Sequence, residues 1–513
     1  MTASQPGPYF LGLDLGTSSL KALVADAAGV VRATVSHPYA LQRPRTGWAE
    51  QSPADWERAL LPVMRQLRER GVALDAIAAI GLSGQMHGLV LLDAAGDALG
   101  PCHIWADTRC ASEARGMEER IGRERLRRIS GSPAYTSATA GKLLWVREHE
   151  PERLRAAAHL LLPKDYLRWR LTGVLATDVS DASGTQLCDI STRDWSGELL
   201  SALDISPDLL PPVYESTAVT GSLTSEMAGA LGLRAGIPVV AGGGDAECAA
   251  VGQGVIGEAA DRGLGLATLG TAGQFFAVTD SPGLDPAGEL QTLCHAVPGR
   301  WHVMRCILAG ASTVDWLAAT LMPGAPPDVA MAALLAEAAN EPPGARGMLF
   351  LPHLNGIRTP EMDADAAGAF VGLRASHTRA TLARAALEGV ALAIREGLDA
   401  VRALGMPVER VRLAGGANRF APWPQLQADV YGLPVETGPS EDASALGAAL
   451  LAAAGIGATT LTDAAATLVA NVSDTYAPDP DASAHYDRLA PIFAQLAPHL
   501  RATFAGLAEA NAE

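Results

Sequence analysis

Short apolar runs separated by turns make up the first part of the chain. Runs of this length, bounded by Gly, Asp and Ser residues, predict buried β-strands. The turns between the first three runs are short and contain glycine, as in an antiparallel meander. The predicted strands are Phe10–Leu15, Lys21–Asp26, Val30–Pro38, Ala78–Ser83 and Gly88–Leu92.

Apolar residues that recur every three or four positions predict helices between and after these strands. Ser52 suits an N-cap and Pro53 suits the first helical turn, so one helix is expected over Pro53–Arg70. Further helices are predicted over Ala111–Arg128, Leu143–Glu148 and the long amphipathic segment 378–405. Strands that alternate with helices in this way are typical of an α/β fold.

The strand pattern restarts after Pro238, and it repeats a motif of the N-terminus. The segment Gly263–Val278 (GLGLATLGTAGQFFAV) contains a strand, a Gly-Thr turn and a second strand, as does GLDLGTSSLKALV near the N-terminus. A repeated hairpin with the same turn indicates that the two halves share an architecture. We therefore expect a domain boundary near Gly252–Gly254, with domains over residues 1–253 and 254–513.

Length and charge narrow the class of protein. A chain of 513 residues exceeds the usual size of a single hydrophobic core. The net charge of −17 argues against a nucleic-acid backbone as the main partner, although backbone amides and single cations still bind phosphate. The 6 cysteines form no CxxC pair, which fits reduced, mostly buried thiols and a cytoplasmic location.

One uncharged segment, 443–462 (ASALGAALLAAAGIGATTLT), has the length of a membrane span. It consists mostly of Ala, Gly and Thr, which are only weakly apolar. The composition therefore predicts a helix that packs tightly against another backbone, and no membrane partner is expected.

The usual nucleotide-binding motifs do not fit this chain. The segment TSATAGKL at 136–143 lacks the first glycine and the final hydroxyl of a P-loop. The segment GGGDAE at 242–247 has Glu where a dinucleotide motif needs its last glycine. A phosphate group, if the protein binds one, must therefore be held in another way.

The two Gly-Thr turns offer such a way, because their amides and hydroxyls can face one phosphate group. Either turn alone is better explained as a hairpin turn, but a matching pair, one of them beside Asp14, favours phosphate. Asp14 could then hold the Mg²⁺ that accompanies a nucleotide, through water. The turn residues are Gly16, Thr17 and Ser18 in the first half and Gly270 and Thr271 in the second.

Asp245 follows three glycines at the end of a predicted strand. Glycines allow a ligand to approach closely, and a carboxylate there could accept a proton from a substrate hydroxyl. Asp is also a good residue for the start of a helix, and AECAAVG follows it. The two roles are compatible, since a carboxylate at a helix start can also face a cleft.

Three further segments contain candidate ligands. Met86 and His87 lie in a predicted loop between strands, where a histidine suits a polar substrate, although a lone histidine is more often structural. The segment HIWADTRC adds Trp105, Asp107 and Arg109, which together suit a sugar or belong to an ordinary surface. In LAGGANRF, the backbone at two glycines could approach a purine or its phosphates, and an asparagine could bond to it. A helix-capping turn explains them equally well; the residues are Gly415, Gly416 and Asn418.

Over nearly its whole length the chain resembles the FGGY carbohydrate kinases, and among them those that act on xylulose. The glycine turns are shared with the wider actin–hexokinase–chaperone superfamily, whereas GQMHG and LLPKDY are the most specific segments. The resemblance depends on GLDLGTSSLK, GQMHGLVLLD, WADTRC, KLLWVREHEPE, LLPKDYLRWRLTG, ATDVSDASGT, RDWS, VVAGGGDAECAAVG, LATLGTAG, LPHLNGIRTP, FVGL and LAGGANRF.

This resemblance implies two ribonuclease-H-like domains of the actin/hexokinase type around a central cleft. The sugar would bind mainly to the first domain and ATP, with Mg²⁺, mainly to the second, and the expected reaction converts D-xylulose to D-xylulose 5-phosphate. Family members are often homodimers. Carried over by motif, Asp245 is the catalytic base, Asp14 the metal-side carboxylate, Met86 and His87 the sugar ligands, Gly270 and Thr271 the phosphate turn, and Gly415, Gly416 and Asn418 the adenosine segment.

Some positions depart from the family pattern. Ala246 stands where Asn usually follows the catalytic Asp, Ala272 where Ser is common, and Ile357 where Glu is frequent. The usual Asn is expected to contact the sugar, so another small ketose or polyol, such as ribulose, arabinitol or glycerol, stays open as the substrate. A nucleotide-dependent binding or regulatory protein is the alternative outside enzymes, and the presence of both Asp14 and Asp245 argues against it.

Overall fold

The computed structural model describes residues 7–510, except 359–362, 364, 420–421, 439 and the side chains of 417 and 419. The strands are β1 (Tyr9–Leu15), β2 (Ser19–Ala25), β3 (Val31–Pro38), β4 (Glu50–Gln51), β5 (Ile77–Gly84), β6 (Val90–Leu92), β7 (Cys102–His103), β8 (His159–Leu161), β9 (Thr177–Asp178), β10 (Cys188–Asp189), β11 (Asp194–Trp195), β12 (Val213–Tyr214), β13 (Val219–Ser222), β14 (Pro238–Val240), β15 (Gly243–Gly244), β16 (Leu264–Leu269), β17 (Gly273–Thr279), β18 (Gln291–Cys294), β19 (Trp301–Ile307), β20 (Leu349–Leu351), β21 (Ala369–Val371), β22 (Arg410–Ala414), β23 (Val435–Thr437) and β24 (Thr475–Tyr476).

The α-helices are α1 (Pro53–Glu69), α2 (Ala111–Ile121), α3 (Arg123–Ser130), α4 (Thr139–His149), α5 (Pro151–Ala156), α6 (Pro163–Thr172), α7 (Val179–Ser183), α8 (Gly197–Leu203), α9 (Ser225–Leu231), α10 (Asp245–Gly252), α11 (Ser312–Leu321), α12 (Pro327–Ala339), α13 (Arg379–Ala403), α14 (Pro422–Tyr431), α15 (Ala443–Gly455), α16 (Leu461–Ala470) and α17 (Pro480–Ala510).

Two large mixed sheets form the framework, and they have the same internal order. In the first, β3, β2 and β1 pair antiparallel, and β5 and β14 follow parallel to β1. In the second, β19, β17 and β16 pair antiparallel, and β22 and β23 follow parallel to β16. The shared order confirms the duplicated α/β architecture that the two Gly-Thr hairpins predict.

The Ala-rich helix α15 belongs to the second half of the sequence but packs on the first sheet. Glycines make the close approach feasible: a Cβ at Gly12 would lie 1.9 Å from the carbonyl oxygen of Ala445, and one at Gly81 would lie 2.0 Å from that of Ala448. Helix α15 also crosses α10, where a Cβ at Gly447 would lie 1.8 Å from the carbonyl oxygen of Cys248. The prediction of a helix packed against another backbone is confirmed, and among the described helices none is long and apolar enough to span a bilayer.

Most predicted elements agree with the structure to within a few residues, and one helix does not. The predicted helix Ala111–Arg128 is interrupted at Gly122, whose φ of 89° lies in the left-handed region and separates α2 from α3. The helix predicted from Leu143 begins earlier, at Thr139. All 6 cysteines are free; Cys306 is partly buried and the others are buried, as expected.

Candidate active site

Two carboxylates lie at the same edge of the first sheet, beside two strands that flank β5. Asp14 on β1 is in register with Ser83 on β5, and Ser83 is in register with Gly243 on β15. Helix α10 begins with Asp245, immediately after β15. The parallel strands therefore bring Asp14 and Asp245 to one edge of the sheet, which is where α/β sheets usually bind ligands.

Asp245 lies at the first position of α10 and is partly exposed. One carboxylate oxygen accepts a hydrogen bond from the amide of Ala246 at 3.0 Å, but the N-cap of α10 is Gly244, so Asp245 does not take the capping role that its residue type suggests. Burial, followed by the negative charge of Asp14, raises the pKa of Asp245 to about 7, although the amides at the helix start oppose the shift. A carboxylate with this pKa is well suited to proton transfer near neutral pH.

Asp14 is buried, and its Oδ1 accepts a hydrogen bond from the Ser83 hydroxyl at 2.9 Å. Burial raises the pKa of Asp14, while the ammonium of Lys21 and the Ser83 hydroxyl act to lower it. Lys21 itself is paired with Asp442 at 2.8 Å, so its charge is shared. The buried carboxylate on β1 thus has a polar partner, but its neighbourhood remains electronegative.

A buried network that the sequence analysis missed supports the backbone before Asp245. The hydroxyl of Ser180 accepts a hydrogen bond from the amide of Gly244 at 3.0 Å and donates one to Asp178. Asp178 also accepts from Ser216 at 2.8 Å and pairs with Lys164 at 2.8 Å. Apart from Ser216, these residues belong to segments that the family resemblance includes, but no periodicity or spacing indicates that they meet.

The first Gly-Thr turn is open to solvent and tied to its surroundings on both sides. The carbonyl of Gly16 accepts a hydrogen bond from the Tyr39 hydroxyl, and the carbonyl of Thr17 accepts one from Gln51 at 2.6 Å. The indole of Trp105 donates to the Thr17 hydroxyl at 2.9 Å. Trp105, predicted as a sugar contact, therefore touches the predicted phosphate turn, while Ser18 is exposed.

The second Gly-Thr turn is attached to the start of α11. The carbonyl of Thr271 accepts hydrogen bonds from the amide of Gly310 at 2.8 Å and from the hydroxyl of Ser312 at 2.7 Å. The carbonyl of Gly270 accepts from the amide of Ala311 at 2.8 Å. Because these carbonyls are already bonded and Thr271 is exposed, the turn presents a rigid edge to the solvent.

The predicted adenosine segment follows β22. Gly415 has a φ of 96°, and a Cβ there would lie 2.3 Å from the carbonyl oxygen of Leu269, so only glycine fits. Asn418 is buried and donates to the carbonyl of Ala414 at 2.6 Å, whereas Gly416 is exposed. In this conformation the Asn418 side chain stabilises its own turn, and the glycines supply the accessible surface.

Met86 and His87 lie beside the helix start that carries Asp245. A Cβ at Gly244 would lie 2.9 Å from Met86 Cγ, so Met86 packs against the residue that precedes Asp245. His87 is buried, and its Nδ1 donates a hydrogen bond to the carbonyl of Gly184 at 2.8 Å. Burial, together with the charge of Arg358, holds the pKa of His87 well below its usual value, so the neutral ring keeps Nε2 as an acceptor.

Asp107 and Arg109 bind each other rather than facing an open cleft. Asp107 is fully buried and accepts hydrogen bonds from the amide of Ala49 at 2.7 Å and from the Arg109 guanidinium at 2.6 Å. Arg109 also pairs with Glu50 at 2.6 Å and lies 3.6 Å from the ring centre of Trp48. Their ion pairs support the loop that carries Trp105, and both side chains are buried in this cluster.

The oxygen donors at these strand ends are of the kind that magnesium prefers. Asp14 and Asp245 offer carboxylate oxygens, which Mg²⁺ prefers, and the charge of Asp14 contributes to the raised pKa of Asp245. A bound cation would relieve this repulsion. The cluster with three metal-type ligands among the described residues, Glu113, Glu148 and His149, does not include either of them. Two carboxylates without a third protein ligand suit an ion that keeps several of its waters.

Comparison with known proteins agrees with this geometry. The model of the FGGY family of carbohydrate kinases, N-terminal domain, matches residues 9–252, and the model of the C-terminal domain matches residues 265–456. A fold of two such domains around these strand ends defines a sugar kinase. The chain belongs to the FGGY family of carbohydrate kinases.

Individual relatives cover most of the chain. The xylulose kinase of Escherichia coli (strain K12) is 41% identical over 445 residues, which is 86% of this chain and 89% of that protein. The crystal structure of xylulose kinase from Rhodospirillum rubrum is 32% identical, has a TM-score of 0.87, and covers 97% of this chain and 100% of its own. The gluconate kinase of Lactobacillus acidophilus is 27% identical, with a TM-score of 0.89, and covers 98% of this chain and 99% of its own.

Proposed function

We propose that this protein transfers the γ-phosphoryl group of ATP to O5 of D-xylulose, forming D-xylulose 5-phosphate. The observation that carries the proposal is the position of Asp245: a partly exposed carboxylate with a pKa of about 7, at a helix start next to Met86 and His87. The xylulose kinases to which the chain is similar support the choice of sugar.

In the proposed mechanism, Asp245 orients the primary hydroxyl and accepts its proton as the bond between oxygen and phosphorus forms. His87 accepts a hydrogen bond from a sugar hydroxyl through Nε2, because its Nδ1 is committed to Gly184. Met86 supplies an apolar surface behind the reacting hydroxyl. Positioning and charge stabilisation supply most of the catalysis in phosphoryl transfer, so a weakly basic carboxylate is sufficient.

The two Gly-Thr turns would receive the phosphates of the nucleotide, with Gly16, Thr17 and Ser18 on one side of the cleft and Gly270 and Thr271 on the other. Gly415 and Gly416 would lie against the adenosine, and Asn418 would keep their turn in shape. Asp14 would hold Mg²⁺, which would supply positive charge to the phosphate oxygens and leave Asp245 free to accept the proton. The proposal places the sugar on residues 1–253 and the nucleotide mainly on residues 254–513.

In this proposal Asp107 and Arg109 stabilise the loop that carries Trp105, since both are buried in an ion pair with each other. A cytoplasmic location is part of the proposal, and the free cysteines support it. A homodimer stays a prediction.

The test is a coupled ADP-release assay with a panel of pentuloses, polyols and gluconate. D-Xylulose is expected to have the highest kcat/KM. Gluconate belongs in the panel because the similar Lactobacillus acidophilus protein is a gluconate kinase, and Ala246 replaces a residue that is expected to contact the sugar. A higher kcat/KM with another sugar would replace D-xylulose as the substrate.

Substitution of Asp245 tests the proposed base. Asp245→Asn keeps the shape of the side chain and is expected to lower kcat by roughly 10²–10⁴-fold, with ATP binding retained. A loss below about tenfold would contradict the role of a general base. Tight binding of ATP and sugar by the natural protein, without any sugar phosphate detected by mass spectrometry, would instead support a binding protein.

A further inference from the structure

Lys142 is a buried cation without a carboxylate partner. Its side chain is fully buried, and among the residues that the structure describes no carboxylate lies within ion-pair distance of it. The ammonium instead donates hydrogen bonds to two backbone carbonyls, those of His87 at 2.9 Å and of Ser137. Burying an ammonium without a carboxylate is costly. We therefore infer that Lys142 serves to fix the backbone at these two carbonyls.

The choice of lysine at this position is informative. The chain has three lysines among 39 basic residues and uses arginine everywhere else. An ammonium is a compact charge with three donors, whereas the guanidinium is a wider planar fork. A single ammonium that donates to two backbone carbonyls at once makes use of this compact geometry.

The carbonyl of His87 is held by a second buried donor. The hydroxyl of Thr139 donates to it at 3.1 Å. His87 itself has a φ of 71°, in the left-handed region, which is unfavourable for a residue other than glycine. Lys142 and Thr139 therefore stabilise the strained backbone that presents the His87 ring.

Ser137, the second residue whose carbonyl Lys142 contacts, also bonds to a residue from the second half of the chain. Arg358, which follows β20, is buried and donates to the hydroxyl of Ser137 at 2.7 Å. Its guanidinium also lies 5.7 Å from the ring centre of Tyr135, beside the same turn. Ser137 thus accepts a hydrogen bond from Arg358 through its hydroxyl and one from Lys142 through its carbonyl.

We propose that Arg358, Ser137 and Lys142 form a positioning relay that holds the conformation of His87 for sugar binding through a contact between the two halves of the chain. The relay rests on the proposed role of His87 at the sugar. None of the three residues needs to touch the sugar. Their effect is on the backbone of His87, so sugar affinity should depend on a contact between the two halves of the chain.

The first experiment measures KM for each substrate separately in Lys142→Met. This change keeps the length of the side chain and removes its donors. Loss of hydrogen bonds from a charged donor is expected to raise the sugar KM about tenfold or more, while the KM for ATP stays within about twofold. A folded Lys142→Met protein with an unchanged sugar KM would overturn the relay, because a purely structural lysine would lower only the melting temperature.

The second experiment is a double-mutant cycle that does not depend on Lys142. Ser137→Ala and Arg358→Met are each expected to raise the sugar KM, and the double variant should resemble the single ones because one contact is lost in all three. Arg358→Lys, which keeps a donor, should restore part of the affinity. Additive effects, or single variants with the natural sugar KM, would overturn the proposal even if Lys142→Met does not fold.

Arg379→Met is the matched control for Arg358→Met. Arg379 pairs with Glu337 on the surface, so its substitution is expected to leave the KM values for sugar and ATP unchanged. The cycle uses whichever sugar the natural protein phosphorylates best. If D-xylulose is not that sugar, the proposal that D-xylulose is the substrate is wrong, but the relay can still be tested with the sugar that is used. Failure of the proposed substrate and failure of the relay are therefore distinguishable.

Discussion

Burial, and after it the negative charge of Asp14, raises the pKa of Asp245 to about 7. Asp14 lies near the end of β1 and Asp245 directly follows β15, and these two strands flank β5. One carboxylate is kept ready to accept a proton near neutral pH. The negative charge of Asp14 adds to the larger effect of burial on the pKa of Asp245.

The first prediction concerns pH. Asp245 must be ionised to accept a proton, and its raised pKa means that the active form is lost as the pH falls through about 7. Activity with both substrates below saturation should therefore rise with pH, with an apparent pKa near 7 for the free protein. The measurement is the pH profile of initial rates.

Asp14→Asn provides the check on this assignment. Removing the neighbouring negative charge should move the apparent pKa of the profile downward, and the variant should be slower overall because it lacks the proposed metal ligand. An unchanged apparent pKa in Asp14→Asn would show that another group controls the profile.

The second prediction concerns the packing of α15 on α10. Gly447→Ala would place a Cβ 1.8 Å from the carbonyl oxygen of Cys248, a backbone atom that has little room to move. The variant is expected to lose about 3 kcal/mol of stability or more in denaturant unfolding. Gly116→Ala is the control, because Gly116 also lies in a helix but a Cβ there meets nothing within 4 Å, so stability should rise by about 0.5–1 kcal/mol. Equal effects of the two substitutions would contradict the crossing geometry.

The third prediction concerns the buried ion cluster below the strand ends. Lys164 is fully buried and pairs with Asp165 at 2.6 Å, with Asp178 at 2.8 Å and with Asp181 at 3.5 Å. Lys164→Met would leave these carboxylates buried without their cation, and is expected to cost roughly 3–5 kcal/mol of unfolding free energy.

Arg58→Met is the comparison for Lys164→Met, since Arg58 is exposed and pairs with Asp55 on the surface of α1. Its stability should change by less than about 0.5 kcal/mol. If Lys164→Met unfolded at the same denaturant concentration as the control, the buried cluster would not contribute to stability as its burial suggests.

Many strand ends and one site of close helix packing could be predicted, because each depends on residues that are near one another in the sequence. The strands around Gly16 agree with the structure to within about two residues, since glycine turns mark where each strand ends. The Ala- and Gly-rich composition of 443–462 predicts close backbone packing because small side chains permit little else. Gly122 was harder to predict, as a glycine within a helical pattern can either continue the helix or end it.

Long-range pairing lies beyond such patterns. Asp107 and Arg109 are two residues apart and look like ligands, but Glu50 and Trp48, far earlier in the chain, enclose the guanidinium. Nothing in the sequence around Lys142 or Arg358 indicates that both reach Ser137. Asp14 and Asp245 could be identified as candidates from the sequence, whereas their electrostatic coupling depends on strand register.

The last prediction tests the network that holds the backbone before the proposed base. Ser180→Ala removes the hydroxyl that accepts from the Gly244 amide and donates to Asp178. The start of α10 would then be less well fixed, and kcat is expected to fall by roughly ten- to a hundredfold, since small displacements of a reacting group are costly.

Ser183→Ala is a closely matched control, because Ser183 also lies on α7, is buried, and makes two hydrogen bonds, to the carbonyl of Ser180 and from the amide of Cys294. Ser183→Ala should lower the melting temperature about as much as Ser180→Ala does. The Ser183 hydroxyl, however, makes no hydrogen bond to Gly244 among those that the structure describes. A fall in kcat that is equal in the two variants would mean that α7 acts only through stability. A fall confined to Ser180→Ala would identify its hydroxyl as the group that positions Asp245.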